Sequence, residues 1–121
     1  SLLDEKDYNQ VLANVSKYLK KNNVEKKYII YIPSWQKISL YKLHKLKIYN
    51  KHPQVIQLNN LKNNVKKIAK KNNFQFIDID DYFFELNDPM KVFHYGLNTH
   101  FNRKGNEVLA SAVLDQLKEL K

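Results

Sequence analysis

Apolar residues along this chain follow two periods in alternation. Between residues 4 and 21, Tyr8, Val11, Leu12, Val15, Tyr18 and Leu19 recur every three or four positions, which predicts an amphipathic helix with one apolar stripe. Asp4, Glu5 and Asp7 stand at its start and Lys17, Lys20 and Lys21 at its end, the order that suits the helix dipole. Asn22 and Asn23 close it. Tyr28-Ile29-Ile30-Tyr31-Ile32 is an unbroken β-branched and aromatic run, which predicts a strand over 27–32 buried on both faces. Pro33 ends the ladder because it has no N–H.

Helical spacing returns over 55–71, where Val55, Leu58, Leu61, Val65, Ile68 and Ala69 step by three or four before Asn72-Asn73. Phe74, Phe76, Ile77 and Ile79 mark a second strand over 74–80, with Asp78 and Asp80 at its exit. Val108, Leu109, Ala112, Val113, Leu117 and Leu120 face inward by spacing on a closing helix over 103–120, with Gln116 polar among them. Residues 35–51 settle on neither period; a helix over about 39–49 is expected there, broken by His52-Pro53. Residues 81–92 read as a loop or short helix with Tyr82, Phe83 and Phe84 packed beneath it, and with a turn at Asn87-Asp88-Pro89. Helices alternating with fully apolar strands predict an α/β fold on a short parallel sheet.

The chain has 121 residues, room for one domain, and 43% hydrophobic with 27% charged residues is enough for a packed core. No run approaches the length of a membrane span. Ser1-Leu2-Leu3-Asp4-Glu5 lacks the basic and apolar regions of a signal peptide, which leaves both the cytoplasm and a bacterial cell envelope open. With no cysteine, disulfides, thiol nucleophiles and zinc-thiolate sites are excluded.

Net charge is +9, yet Arg103 is the sole arginine, and arginine is the residue favoured for forked phosphate and guanine contacts. Lysine, asparagine and isoleucine all have AT-rich codons, so a compositional bias of the source genome is the expected cause of the charge. The alternative is a non-catalytic basic module whose Lys-rich stretches at 41–51 and 62–71 hold nucleic acid, an anionic glycan or a protein partner. A sheet of so few strands also leaves an edge through which copies of the chain could associate.

The chemistry gathers late in the chain. Residues 95–110 read as a loop that presents His100 and then turns into a helix capped by Asn102. Gly96 permits a backbone conformation closed to other residues. Asn98 lies two residues before His100, a spacing that suits a base with an orienting partner. His94 reads as a packed aromatic neighbour, and His44 and His52 as surface residues. Trp35, Tyr41, Tyr49, Tyr82 and Tyr95 read as core packing or as the lining of a groove for a sugar ring.

This block resembles the last sequence block of the SGNH/GDSL hydrolase superfamily. His100, Asn102 and Gly105 match it in type and spacing, and Asn98 stands where shorter-spaced members carry Asp. Tyr31-Ile32-Pro33-Ser34 is similar to the strand-end segment that precedes it. The resemblance implies a three-layer α/β/α, flavodoxin-like fold, of which residues 1–121 form the C-terminal half, as a fragment or truncated version of a larger domain. It implies an ester hydrolase or O-acyltransferase acting on an ester- or acyl-bearing small molecule or a cell-envelope glycan, without cofactor or metal.

In that reading His100 is the general base that takes a serine proton, and Asn98 holds its ring through the amide oxygen. Asp80 or Asp81 is the alternative acid. The family's serine sits in an upstream Gly-Asp-Ser-like block that has no counterpart here, so the nucleophile is expected from outside this chain. Among Ser1, Ser16, Ser34, Ser39 and Ser111, Ser34 comes nearest, since it follows a strand. Asp78-Ile79-Asp80-Asp81 has two further readings. One is acids that cap neighbouring backbone. The other is an aspartate pair resembling that of haloacid-dehalogenase-type phosphatases, which would need Mg²⁺ and further acid and Lys motifs that the chain does not display.

Overall fold

The computed structural model describes residues 4–43, 49–96 and 100–120. Helix α1 (Glu5–Lys21) leads into strand β1 (Tyr28–Tyr31), then α2 (Trp35–Leu43) and α3 (Pro53–Lys71). Strand β2 (Gln75–Asp78) follows, then the short α4 (Asp80–Phe84) and α5 (Arg103–Glu119), with single 3-10 turns between. The two strands pair in parallel, Tyr28 opposite Gln75 and Tyr31 opposite Asp78. The chain is therefore α/β, as its alternating periods predict. Among the described residues no helix is long and apolar enough to cross a membrane.

Local chemistry sets the helix ends. Asp4 caps α1 by accepting from the Asp7 N–H at 3.2 Å. Both long helices before the strands stop in the same way. Val24 N–H donates to Leu19 C=O and Asn23 N–H to Lys20 C=O, and Phe74 and Asn73 repeat this with Ala69 and Lys70. The pattern requires a left-handed residue, which Asn tolerates better than most side chains; Asn23 has φ 61 and Asn73 φ 64. The paired asparagines are thus mechanical stops.

Each sheet face has its own core. Ile29 and Phe76 pack with Leu12 and Tyr8 of α1 and with Ile68 and Ala69 of α3. Ile77, Ile79 and Tyr28 pack with Phe83 of α4, Ala112, Val108 and Leu109 of α5, Ile38 of α2, and Val92-Phe93. Phe83 is buried and Tyr82 and Phe84 are partly buried against this core, as expected, while the Tyr82 hydroxyl donates to Asp115 Oδ2 at 2.5 Å.

Three expectations are corrected. Strand β1 is not buried on both faces: Ile30 and Ile32 are exposed, because β2 is its one neighbour among the described residues. Helix α2 begins at residue 35, not near 39, because Ser34 starts it; its carbonyl and hydroxyl oxygens accept from the Ile38 and Lys37 N–H groups. Residues 44–48 of the expected helix, His44 among them, lie outside the described residues. Leu120, expected to face inward, is exposed just past the end of α5.

Candidate functional site

The carboxyl end of β1 opens onto a cleft of about 220 Å³. Ile32, Pro33, Ser34 and Trp35 form one wall, and Phe93, His100 and Phe101 form the other. Pro33 and Ser34 join the end of β1 to the start of α2, and both line the cleft. Open α/β sheets place ligands at that edge.

Asn102 and Phe101 fix the facing wall. Asn102 Oδ1 accepts from Gly105 N–H at 2.9 Å, as its N-cap role predicts. Its Nδ2 donates to Lys91 C=O at 2.6 Å and to Phe93 C=O at 3.2 Å, so one side chain caps α5 and staples the 89–93 turn to it. Phe101 bridges antiparallel to Phe93 and stacks on Phe83 at 5.1 Å and on Phe93 at 5.2 Å. His100 is therefore the exposed residue one step before an anchored aromatic. Tyr95 supplies a left-handed turn in the approach, with φ 55.

The chain brings His100 and Ser34 to opposite walls of one cleft. Ser34 Oγ uses a lone pair on the Lys37 N–H at 3.2 Å, which leaves its O–H available to donate. Asn98 lies outside the described residues. His94 is exposed rather than packed, and His52 accepts from Gln54 N–H through Nδ1 and caps α3. Of the five aromatics read as core or groove, Trp35 lines this cleft. Tyr41 instead stacks on Phe84 at 4.3 Å and meets Tyr49 edge-on at 5.3 Å.

A charged cluster lies at the carboxyl end of β2. Lys37 Nζ is 2.5 Å from Asp80 Oδ2, and their side chains are only 3% and 5% exposed. Lys62 reaches the same oxygen at 2.9 Å and Asp78 Oδ2 at 2.7 Å. Asp80 Oδ1 is buried and has no hydrogen-bond partner among the described residues. Lys37 and Lys62, the second from a stretch read as a Lys-rich binding face, are thus spent on two strand-end aspartates.

This disposes of Asp80 as an acid free to orient His100. The Lys62 cation bridges the two carboxylates. The backbone-capping reading holds for Asp78, whose Oδ1 accepts from Asp80 N–H at 3.0 Å. Among the described residues no three acidic or His side chains gather as metal ligands.

Burial pushes the Lys37 ammonium below the ordinary lysine range, with Asp80 opposing. Burial also acts against Lys62, but its contacts with Asp78 and Asp80 outweigh it and hold that ammonium above the ordinary range. Burial, then the negative Asp80, raises the Tyr49 phenol to about 12.

A phenol whose folded pKa is raised stabilises the fold fully below its unfolded value, about 10, and loses that contribution as pH rises through the folded value. Stability should therefore fall between about pH 10 and pH 12, and Tyr49→Phe should fall less steeply. Urea midpoints of the two proteins across that window test this, because Lys37 and Lys62 are common to both. Parallel curves would show that Tyr49 does not carry the alkaline loss.

The sequence carried a signal for the aspartates, their place at a strand exit. It carried none for Lys37 and Lys62, whose spacing matches that of the solvent-facing lysines around them. Compared with known proteins, the chain matches no family model, no curated sequence and no solved structure.

Proposed function

We propose that this chain is the C-terminal portion of an SGNH/GDSL-like ester hydrolase or O-acyltransferase, with His100 as the general base. The observation that carries the reading is the position of His100. It is exposed on a cleft at the carboxyl end of a parallel strand, one residue before an anchored aromatic and two before a capped helix. Helices α1 and α3 on one sheet face and α4 and α5 on the other support a three-layer arrangement.

The cleft is small, with apolar walls from Ile32, Trp35, Phe93 and Phe101, and it suits a short acyl group better than a long chain. In the reaction, His100 accepts the proton of an attacking hydroxyl as its oxygen bonds to the acyl carbon. The imidazolium then returns that proton to the leaving alcohol. Asn98 orients the ring in this reading. The hydroxyl comes from a serine outside this chain, and Ser34 is the one the cleft itself offers.

Hydrolysis of a short aryl ester by the longest form of the protein that carries this chain tests the proposal. His100→Ala should lower the rate by at least about 10²-fold, the contribution typical of a general base. Equal rates for the two proteins would remove His100 from catalysis. Ser34→Ala then separates the two sources of hydroxyl: a rate lost with Ser34 assigns the nucleophile to this chain, and an unchanged rate assigns it elsewhere.

A further inference from the structure

Ser34 is an exposed residue in an anchored turn. Pro33 before it is buried, and so are Lys37 and Ile38 after it. Its carbonyl accepts from Ile38 N–H at 3.1 Å and its Oγ from Lys37 N–H at 3.2 Å, so both of its oxygens hold the first turn of α2. The Lys37 side chain ties that turn to the end of β2 through Asp80, whose carboxylate also holds Lys62 of α3. A buried ion pair adds little net stability. What this one supplies is position, since it fixes the turn that presents Ser34 to the cleft.

These contacts favour a donor over an attacking group. An attacking serine hands its proton to a base, and the two side chains lie within hydrogen-bond reach. Among the described residues Ser34 Oγ makes no hydrogen bond except with Lys37 N–H, and His100 stands on the facing wall. The Lys37 N–H occupies a lone pair of Oγ, the part a nucleophile needs, and leaves the O–H, the part a donor needs. Charge points the same way. Among the described residues the cleft lining holds no acid, and the turn that carries Ser34 is the positive end of α2. Negative charge developing on an oxygen beside that hydroxyl is therefore stabilised.

We infer that the Ser34 hydroxyl donates a hydrogen bond to the carbonyl oxygen of the acyl group, and that Lys37 is the residue that positions it. The inference rests on the ester-directed reading and adds a group to that site. An attacking hydroxyl from outside this chain bonds to the acyl carbon, and the carbonyl oxygen takes up the π electron pair. The hydrogen bond from Ser34 strengthens as that oxygen becomes negative. It weakens again when the C=O bond re-forms and the alcohol leaves. Ser34 keeps its own proton throughout. Because the bond is strongest in the transition state, losing it acts on kcat more than on KM.

Short aryl-ester kinetics on the longest form of the protein that carries this chain test the inference. Ser34→Ala should lower kcat about 10²-fold, the usual cost of one such donor, with KM little changed. Ser34→Thr keeps both the hydroxyl and the cap and should stay within about fivefold of the parent. Ser34→Asp also caps α2, so the fold survives, but it sets a negative charge where the oxyanion forms and should be at least as slow as Ser34→Ala. Lys37→Met combined with Asp80→Asn, measured where circular dichroism shows it folded, should still have a kcat lowered at least about tenfold, because the tether is gone. Peptide mapping after treatment with a fluorophosphonate should leave Ser34 unmodified. A phosphonyl group on Ser34 would overturn the inference, since Ser34 would then be the attacking group. So would parent kcat in Ser34→Ala, or Ser34→Asp as fast as Ser34→Thr. Parent kcat in the double variant would remove the positioning role of Lys37. If His100→Ala loses the rate and Ser34→Ala does not, the donor fails alone. If neither substitution changes the rate, the ester-directed reading fails and the donor with it.

Discussion

Asp80→Asn should destabilise the fold by about 3–5 kcal/mol, the cost of breaking a buried ion pair from one side. The reason is asymmetry. The Asp80 and Lys37 side chains are 5% and 3% exposed, so the pair itself contributes little beyond what its desolvation costs. Once the carboxylate is neutral, Lys37 remains buried with no countercharge, and burial already disfavours its charged form. Lys62 keeps Asp78 and is less affected. The melting temperature should fall by roughly 10 °C or more. Adding Lys37→Met should recover much of the loss, because the stranded cation goes and a side chain of similar length fills its space. If Asp80→Asn stays within about 1 kcal/mol of the parent in urea, the cluster is not what joins α2 and α3 to the end of β2.

Gly105→Ala should also destabilise the protein, by about 2–3 kcal/mol, against the helix-propensity gain of about 1 kcal/mol that alanine brings. Gly105 lies in the first turn of α5, where alanine ordinarily helps. A Cβ there would stand 2.5 Å from Val92 C=O and 2.8 Å from the Phe101 Cβ. The first of these is backbone, fixed by the Asn102 N–H that donates to it at 2.9 Å, so it cannot move aside cheaply. Relief requires α5 to back away from the 89–93 turn, which would shift Phe101 and the cleft wall that carries His100. Aryl-ester turnover should therefore fall along with the urea midpoint. A midpoint unchanged or raised in Gly105→Ala would show that the close approach is not maintained in solution.

The two substitutions act on opposite sides of the same sheet edge. One loosens the carboxyl end of β2 and the start of α2, the other the loop before α5. The cleft between Ser34 and His100 depends on both, because its walls belong to these segments.

By itself the sequence determined the element order, the places where α1 and α3 stop, and the capped start of α5. These rest on local physics: a period of apolar residues, an asparagine that accepts a left-handed backbone, and an oxygen three residues before an orphan N–H. It also marked His100 and the strand-exit aspartates as residues with chemistry. What only the tertiary structure decided is which charges lie inside. Lys37 and Lys62 are buried or half-buried because the crossover from β1 to β2 brings α2 and α3 to the strand-end aspartates, and their spacing along the chain carries no trace of that.

Tertiary structure likewise decided that Ile30, Ile32, Val11, Val15 and Tyr18 stay in solvent. An apolar pattern says that a face will be covered, but the neighbour that covers it is a property of the assembled sheet. The meeting of Ser34 with His100, 66 positions apart, comes from the same source. Parallel strands bring their carboxyl ends to one edge however far apart they lie in the chain.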